Sequence, residues 1–147
     1  MAEAVSPSAF RATGSDFDLA RAAIAEVHQR RPVDGQALAA FLENPTCYLF
    51  ISTVAGEVVG SLNGHSVLSP GKRQPQFLLY EVDVRKQWRR RGFGAALVNA
   101  FVSEARASGA CEVWVLTNHS NEAATALYRR CGFVCQNPDD VVSSISL

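Results

Sequence analysis

One stretch constrains the chain more than any other: Val82-Asp83-Val84, a short gap, then Trp88-Arg89-Arg90-Arg91-Gly92-Phe93-Gly94-Ala95. A strand-like run stops there, and a helical apolar pattern starts at once. Phe93, Ala96, Leu97, Ala100 and Phe101 fall at i, i+3, i+4, i+7 and i+8. The turn between them sets arginines at the N-terminal end of a helix, where the macrodipole is already positive and cations are disfavoured. That arrangement makes sense if an anion sits among the exposed N–H groups of the first turn. Gly92 and Gly94 remove side chains that would hold a phosphate away from the backbone. A Walker loop would need Gly-Lys-Ser/Thr, and a dinucleotide fingerprint would need a glycine where Leu97 stands. Arg89, Arg90, Arg91, Gly92, Phe93, Gly94 and Ala95 are therefore read as a pyrophosphate seat, against the plainer alternative of a solvated basic helix start. Arg85 and Lys86 either extend the seat or are surface charges.

Bulk properties narrow the partners. A chain of 147 residues is of one-domain size, so a single domain over residues 1–147 is expected. Fourteen basic and fourteen acidic residues cancel, which argues against a general polyanion binder such as a nucleic-acid protein. No apolar run approaches the roughly 18–20 residues of a membrane span. The first residues lack the basic start and apolar core of a secretory signal, so a cytoplasmic setting is expected. Cys131 and Cys135 have no second Cys/His pair at zinc-site spacing, and no metal is expected.

The pass along the chain gives this order. Residues 1–9 read as a frayed lead-in. A helix follows Ser15, with Asp18 three residues on as a weak capping box, and Arg30-Arg31-Pro32 ends it. A short helix carries Leu38, Phe41 and Leu42. Cys47 to Val54 and Val58 to Leu62 read as a hairpin around Ala55-Gly56-Glu57. Residues 66–75 read as a polar loop and Phe77 to Val84 as a strand. The helix from Phe93 stops at Gly109, and a strand runs from Glu112 to Thr117. A last helix spans about Ser120 to Arg130, and Val141 to Leu147 reads as a final strand. The sum is a mixed α/β sheet.

On the last helix Ala124, Leu127 and Tyr128 share a face. Helix spacing alone makes Tyr128 either a core residue with its hydroxyl in water or one that offers its hydroxyl to a pocket. Glu81 and Asp83 lie two apart on a strand and share one sheet face. They are either proton acceptors that draw in a cation or partners of neighbouring Arg and Lys side chains.

Two motifs together carry a resemblance. Val84 with Arg89-x-x-Gly92-x-Gly94, followed by Asn121-x-x-Ala124-x-x-Leu127-Tyr128-x-x-x-Gly132-Phe133, resembles the GNAT superfamily of N-acetyltransferases over residues 10–147. Tyr80-Glu81-Val82-Asp83-Val84, Val113-Trp114-Val115-Leu116-Thr117-Asn118 and the hairpin are similar to the small aminoglycoside 3-N-acetyltransferases that use acetyl-CoA. The resemblance implies a mainly antiparallel sheet with flanking helices and a V-shaped split between the fourth and fifth strands, holding acetyl-CoA. Backbone groups of Val82, Asp83 and Val84 would hold its pantetheine arm, Arg89 to Ala95 its pyrophosphate, and Asn121 and Ala124 the other wall. It implies Tyr128 as general acid toward the thiolate and Glu81 as base toward the acceptor amine. Glu81 and Asp140 become candidate acceptor contacts. The implied reaction is acetyl transfer to a primary amine, an aminoglycoside first, by direct attack in a ternary complex. The alternatives are another small amine or a protein amino group as acceptor, or a non-catalytic acyl-CoA-binding module. Related enzymes pair through their sheets, which implies a homodimer.

Overall fold

The computed structural model describes residues 4–147. Five strands form one sheet in the order β1-β2-β3-β4-β5. They are β1 (Phe10–Arg11), β2 (Cys47–Val54), β3 (Glu57–Val67), β4 (Gln76–Val84) and β5 (Glu112–Val115). Every neighbouring pair is antiparallel except β4 and β5, which run parallel. That pair needs a crossover connection. It is α3 (Phe93–Ala107). The remaining helices are α1 (Phe17–Ala22), α2 (Gly35–Glu43) and α4 (Glu122–Arg130).

The sheet has a core on each face. On one, α3 and α4 pack Phe93, Leu97, Val98, Phe101 and Tyr128 against Phe50, Leu62, Phe77, Leu79 and Val84. On the other, α1 and α2 pack Ala20, Ala23 and Leu38 against Leu49, Ile51 and Val58. The alternation of Tyr48 and Phe50 with Leu49 and Ile51 supplies both cores from one strand, as the two-residue repeat of a strand requires.

A bulge in β4 decides what the site contains. Asn63 pairs with Glu81, but the next residue, Gly64, pairs with Leu79, so Tyr80 has no partner on β3. Phe77 and Leu79 face α3, and strict alternation would drive Glu81 and Asp83 onto that same apolar face. The extra residue reverses the parity. Val82 and Val84 now join the α3 core, while Tyr80 and Glu81 both turn to the side of α1 and α2. Gly64 is held by contact: a Cβ there would lie 2.4 Å from Phe101 Cζ and 2.6 Å from the Leu78 carbonyl.

Several sequence expectations need correction. Residues 4–9 are irregular but not frayed; residues 1–3 lie outside the described residues. The Ser8 carbonyl accepts the Ser52 hydroxyl at 2.6 Å, and Pro7 packs on Gly92. The strand β1 was unforeseen, since two residues carry no periodicity. Helix α1 is preceded by Thr13, whose N–H donates to Asp16 at 2.8 Å, in place of the Ser15/Asp18 pair. It runs on into a π-helical stretch, Ala23–Val27. Strand β3 continues to Val67, because Asn63-Gly64-His65 joins the ladder despite its turn-like composition. The final strand, Val141 to Leu147, is absent: that segment is exposed and irregular. Its apolar residues meet no sheet edge, and a strand without a partner ladder leaves its backbone groups to water.

Candidate active site

The parallel pairing of β4 with β5 ends at Leu79 and Val115. Beyond it β4 continues through Val84 while β5 stops, so the two strands part. Arg85 N–H donates to the Val59 carbonyl on β3 at 2.8 Å. By alternation, the N–H and C=O groups of Val82 and Val84 point away from β3, into the parting. Asp83 Oδ1 accepts the Val84 N–H at 2.8 Å, and Arg89 Nε donates to the Val84 carbonyl at 2.8 Å. Arg89 Nη2 also reaches Asp83 Oδ1 at 3.1 Å. Arg89 thus fastens the end of β4 to the turn before α3, and Val82 is left with the open backbone edge.

The first turn of α3 lies at the same end. Gly92, at φ 89°, is the residue before the helix, and its carbonyl accepts Ala96 N–H at 3.0 Å. Among the described residues, the N–H groups of Phe93, Gly94 and Ala95 have no protein acceptor. A row of unfilled N–H groups at a helix start suits an anion. Arg90, at φ 60°, is exposed, and the Arg91 guanidinium lies over the Trp88 ring at 4.9 Å. Phe93 contributes its backbone alone, since its ring is buried edge-on against Trp88. Gly94 has a second task beyond admitting a phosphate. A Cβ on it would lie 3.3 Å from Leu127 Cδ2 and 4.0 Å from Val84 Cγ2, so its bareness lets α4 close on α3 and β4.

Helix α4 forms the far wall. Asn121 caps it, with Oδ1 accepting Ala124 N–H at 3.1 Å, and Asn118 Oδ1 accepts Asn121 N–H at 3.0 Å. Ala124 is half-buried against the core. Tyr128 is 8% exposed and packs on Phe133, with ring centroids 5.7 Å apart. Burial pushes the Tyr128 phenol above its ordinary value of 10, because the phenolate would lose hydration. Among the described residues, no protein acceptor takes its hydroxyl.

On the opposite face of β4 a cavity of about 370 Å³ opens beside Glu81. Its walls include Leu38, Phe41, Leu49, His65, Tyr80 and Asp34. Arg30 grips the Glu81 carboxylate bidentately, Nη1 to Oε1 at 2.8 Å and Nη2 to Oε2 at 3.1 Å. Asn63 Nδ2 donates to Oε1 at 2.7 Å. His28 Nδ1 lies 3.7 Å from the same oxygen, and its buried Nε2 has no partner among the described residues. Burial holds His28 below the usual imidazole value of 6.5, partly offset by Glu81, so it is neutral near pH 7.

Arg30, His28 and Asn63 were not foreseen. Arg30 had read as a helix stop, and nothing local to any of the three points to a carboxylate on β4. Asp140, a candidate acceptor contact, stands elsewhere. It is exposed in a turn whose Asn137 Nδ2 donates to its Oδ1 at 2.8 Å, and it does not line the Glu81 cavity. Among the described residues no three His, Cys, Asp or Glu side chains cluster as metal ligands. No described helix is long and apolar enough to cross a membrane.

Known proteins of similar shape include acetyltransferases. An aminoglycoside acetyltransferase from an uncultured soil metagenomic sample, solved with sisomicin, superimposes with a TM-score of 0.82 over 95% of each chain at 19% identity. The enzyme AAC(6')-Iy, solved with a bisubstrate analogue of CoA and acetylneamine, gives 0.79 over 95% of this chain and 97% of that one at 17% identity. At these identities the likeness concerns the fold. By sequence, mouse N-acetyltransferase family 8 member 3 is 30% identical over 93 residues, 63% of this chain but 41% of the mouse protein. Rat N-acetyltransferase 8 is 29% identical over 84 residues, 57% of this chain and 38% of the rat protein. The chain therefore spans under half the length of the curated relatives it matches. The family description "Acetyltransferase (GNAT) family" matches residues 16–133, which takes in both faces of the parting and all four helices. The chain belongs to the GNAT family of acetyltransferases.

Proposed function

We propose that the protein moves the acetyl group of acetyl-CoA to a primary amine of a cationic acceptor, an aminoglycoside first, by direct attack in a ternary complex. The observation that carries this reading is the parting of β4 from β5. It lies between the bare N–H groups at the start of α3 and the α4 wall that bears Tyr128. These residues fit acetyl-CoA: Phe93, Gly94 and Ala95 offer N–H donors to its pyrophosphate, with Arg90 nearby. Val82 offers a strand edge to the pantetheine amides, while Asn121 and Ala124 border the other side. Asp83, Arg89 and Gly92 act by holding that frame. Arg91 is kept near by Trp88.

Acetyl-CoA supplies an activated acyl carbon and a thiolate leaving group. The acceptor must lose a proton first, because alkylamines are mostly protonated near pH 7. Glu81 takes that proton once the amine enters the cavity. The Val82 N–H donates to the carbonyl oxygen as it gains charge, which favours the transition state over the ground state. Tyr128 gives its proton to the departing sulfur, and burial ensures that the phenol still carries it at neutral pH.

One observation favours a smaller amine as a second reading. With Asp140 away from the cavity, Glu81 and Asp34 are the carboxylates that line it. Thiol release measured on a panel of sisomicin, a diamine, a monoamine and a peptide N-terminus separates the readings. Sisomicin turning over fastest supports the first, and a monoamine or peptide turning over fastest supports the second. CoA binding without turnover of any acceptor would leave only an acyl-CoA-binding module. We place the enzyme in the cytoplasm, as one domain that forms a homodimer.

A further inference from the structure

We infer that Arg30 gates the acceptor cavity by occupying Glu81 in place of the acceptor's cationic nitrogen. The inference rests on the acetyl-transfer reading for its kinetic consequences, but not for its binding test. The carboxylate in the cavity is already engaged. Arg30 fills a lone pair on each oxygen, at 2.8 Å and 3.1 Å, and Asn63 takes another on Oε1 at 2.7 Å. A carboxylate so occupied has little room for an ammonium donor and is a poor proton acceptor.

The three partners of Glu81 differ in how readily they leave. Asn63 is 7% exposed and fixed in the β3 ladder, so it stays and keeps the carboxylate aimed. His28 is buried and neutral, and does not replace a cation. Arg30 is a long side chain, 59% exposed, on the irregular segment after α1. It is the partner that can swing out. Acceptor binding is thus an exchange of cations on Glu81, guanidinium out and ammonium in.

The exchange sets one cost for every acceptor that uses Glu81, and acceptors differ in what they gain to offset it. A single ammonium gives up the forked geometry of the guanidinium and matches only its charge. A compound with two cationic nitrogens can engage Glu81 and also Asp34, which lines the same cavity and spends only Oδ1 on capping α2. The acceptor class that fits is an amine with at least two positive groups. A compact amidinium with an apolar body, lacking a nucleophilic amine, should occupy the same place and block it.

Benzamidine is the probe. Calorimetry of benzamidine with the wild type, Arg30→Ala and Arg30→Met should show roughly two- to fivefold tighter binding in both variants, the strength of an exposed ion pair. In thiol-release assays the acceptor KM should fall by about the same factor for a monoamine and a diamine alike, since both displace the same guanidinium. The Kd for acetyl-CoA should not move. Equal or weaker benzamidine binding in both variants would overturn the inference, as would a raised acceptor KM, which would make Arg30 a holder of the acceptor. If no amine is turned over, the acetyl-transfer reading fails, and the benzamidine titration still decides the role of Arg30.

Discussion

Tyr128 and His28 are both buried, and burial acts on them in opposite senses because their charged forms have opposite sign. The phenol is held protonated and the imidazole is held neutral. For Tyr128 the consequence is chemical. Tyr128→Phe keeps the ring against Phe133 and removes the proton donor, so kcat should fall by about 10²-fold, within the usual span of general acid catalysis. Acetyl-CoA affinity measured by calorimetry should change little. For His28 the consequence is linkage. Its folded value lies below 6.5, so the unfolded chain binds more protons in acid. Its contribution to stability is present above pH 6.5 and is lost as pH falls through the folded value. Melting temperatures recorded from pH 7.5 down to pH 5 should drop more steeply in the wild type than in His28→Gln. Parallel curves would mean that the imidazole does not titrate differently on folding.

At the scale of elements, two departures from regular geometry position the chemistry. The bulge at Tyr80 rotates Glu81 and Asp83 out of the α3 core and stacks two cavity-lining residues in succession. Deleting Tyr80 removes the extra residue and lets Leu79, Glu81, Val82, Asp83 and Val84 alternate regularly, with both carboxylates still facing away from α3. The deletion should therefore still fold cooperatively by circular dichroism, with the cavity short of one aromatic wall, and a loss of cooperative folding would show that the bulge itself is needed. The start of α3 is the second departure. Gly92 sits at positive φ, where an alanine is strained by roughly 1–2 kcal/mol, and Pro7 lies 3.1 Å from where its Cβ would be. Gly94→Val meets Leu127 and Val84 instead. It should lower stability by about 1–3 kcal/mol through overpacking and weaken acetyl-CoA binding by moving α4. A variant with wild-type stability and lost CoA affinity would show that Gly94 serves the ligand alone.

At the scale of the whole molecule, the sheet carries one core on each face, and the two halves of the proposed site lie on opposite sides of β4. The helix start, the strand edge and Tyr128 belong to the α3 side; Glu81 and its cavity belong to the α1 side. On the acetyl-transfer reading, an acyl group held in the parting would be reached by an amine from across the strand, and ternary attack would need no covalent relay. Acetyl-CoA should stabilise the fold through its binding alone, by about 2.7 kcal/mol at roughly 100 times its Kd. An unchanged melting temperature at saturating acetyl-CoA would remove the anion seat. The C-terminal segment packs against neither core. Truncation after Gln136 should leave the melting temperature unaltered, since Phe133 and its contact with Tyr128 are retained.

Much of this was legible in the residues themselves. The helix from Phe93, the strand Cys47–Val54 and the glycine stop of α4 follow from periodicity and turn chemistry, which are local. The bare helix start was legible for the same reason, since Gly92 and the arginines mark it within a few residues. What surrounds Glu81 was not. Arg30 lies 51 residues away in sequence and Asn63 lies 18 away, and only the pairing of β3 with β4 and the placement of α1 bring them together. The β4 bulge was equally hidden, because alternation along Phe77 to Val84 has no local mark of where it slips. The chain alone marked most of the helices and strands and the glycine-framed start of α3. Tertiary packing decided which face each carboxylate meets and which cation holds it, because register and long-range ion pairs are properties of contacts between segments.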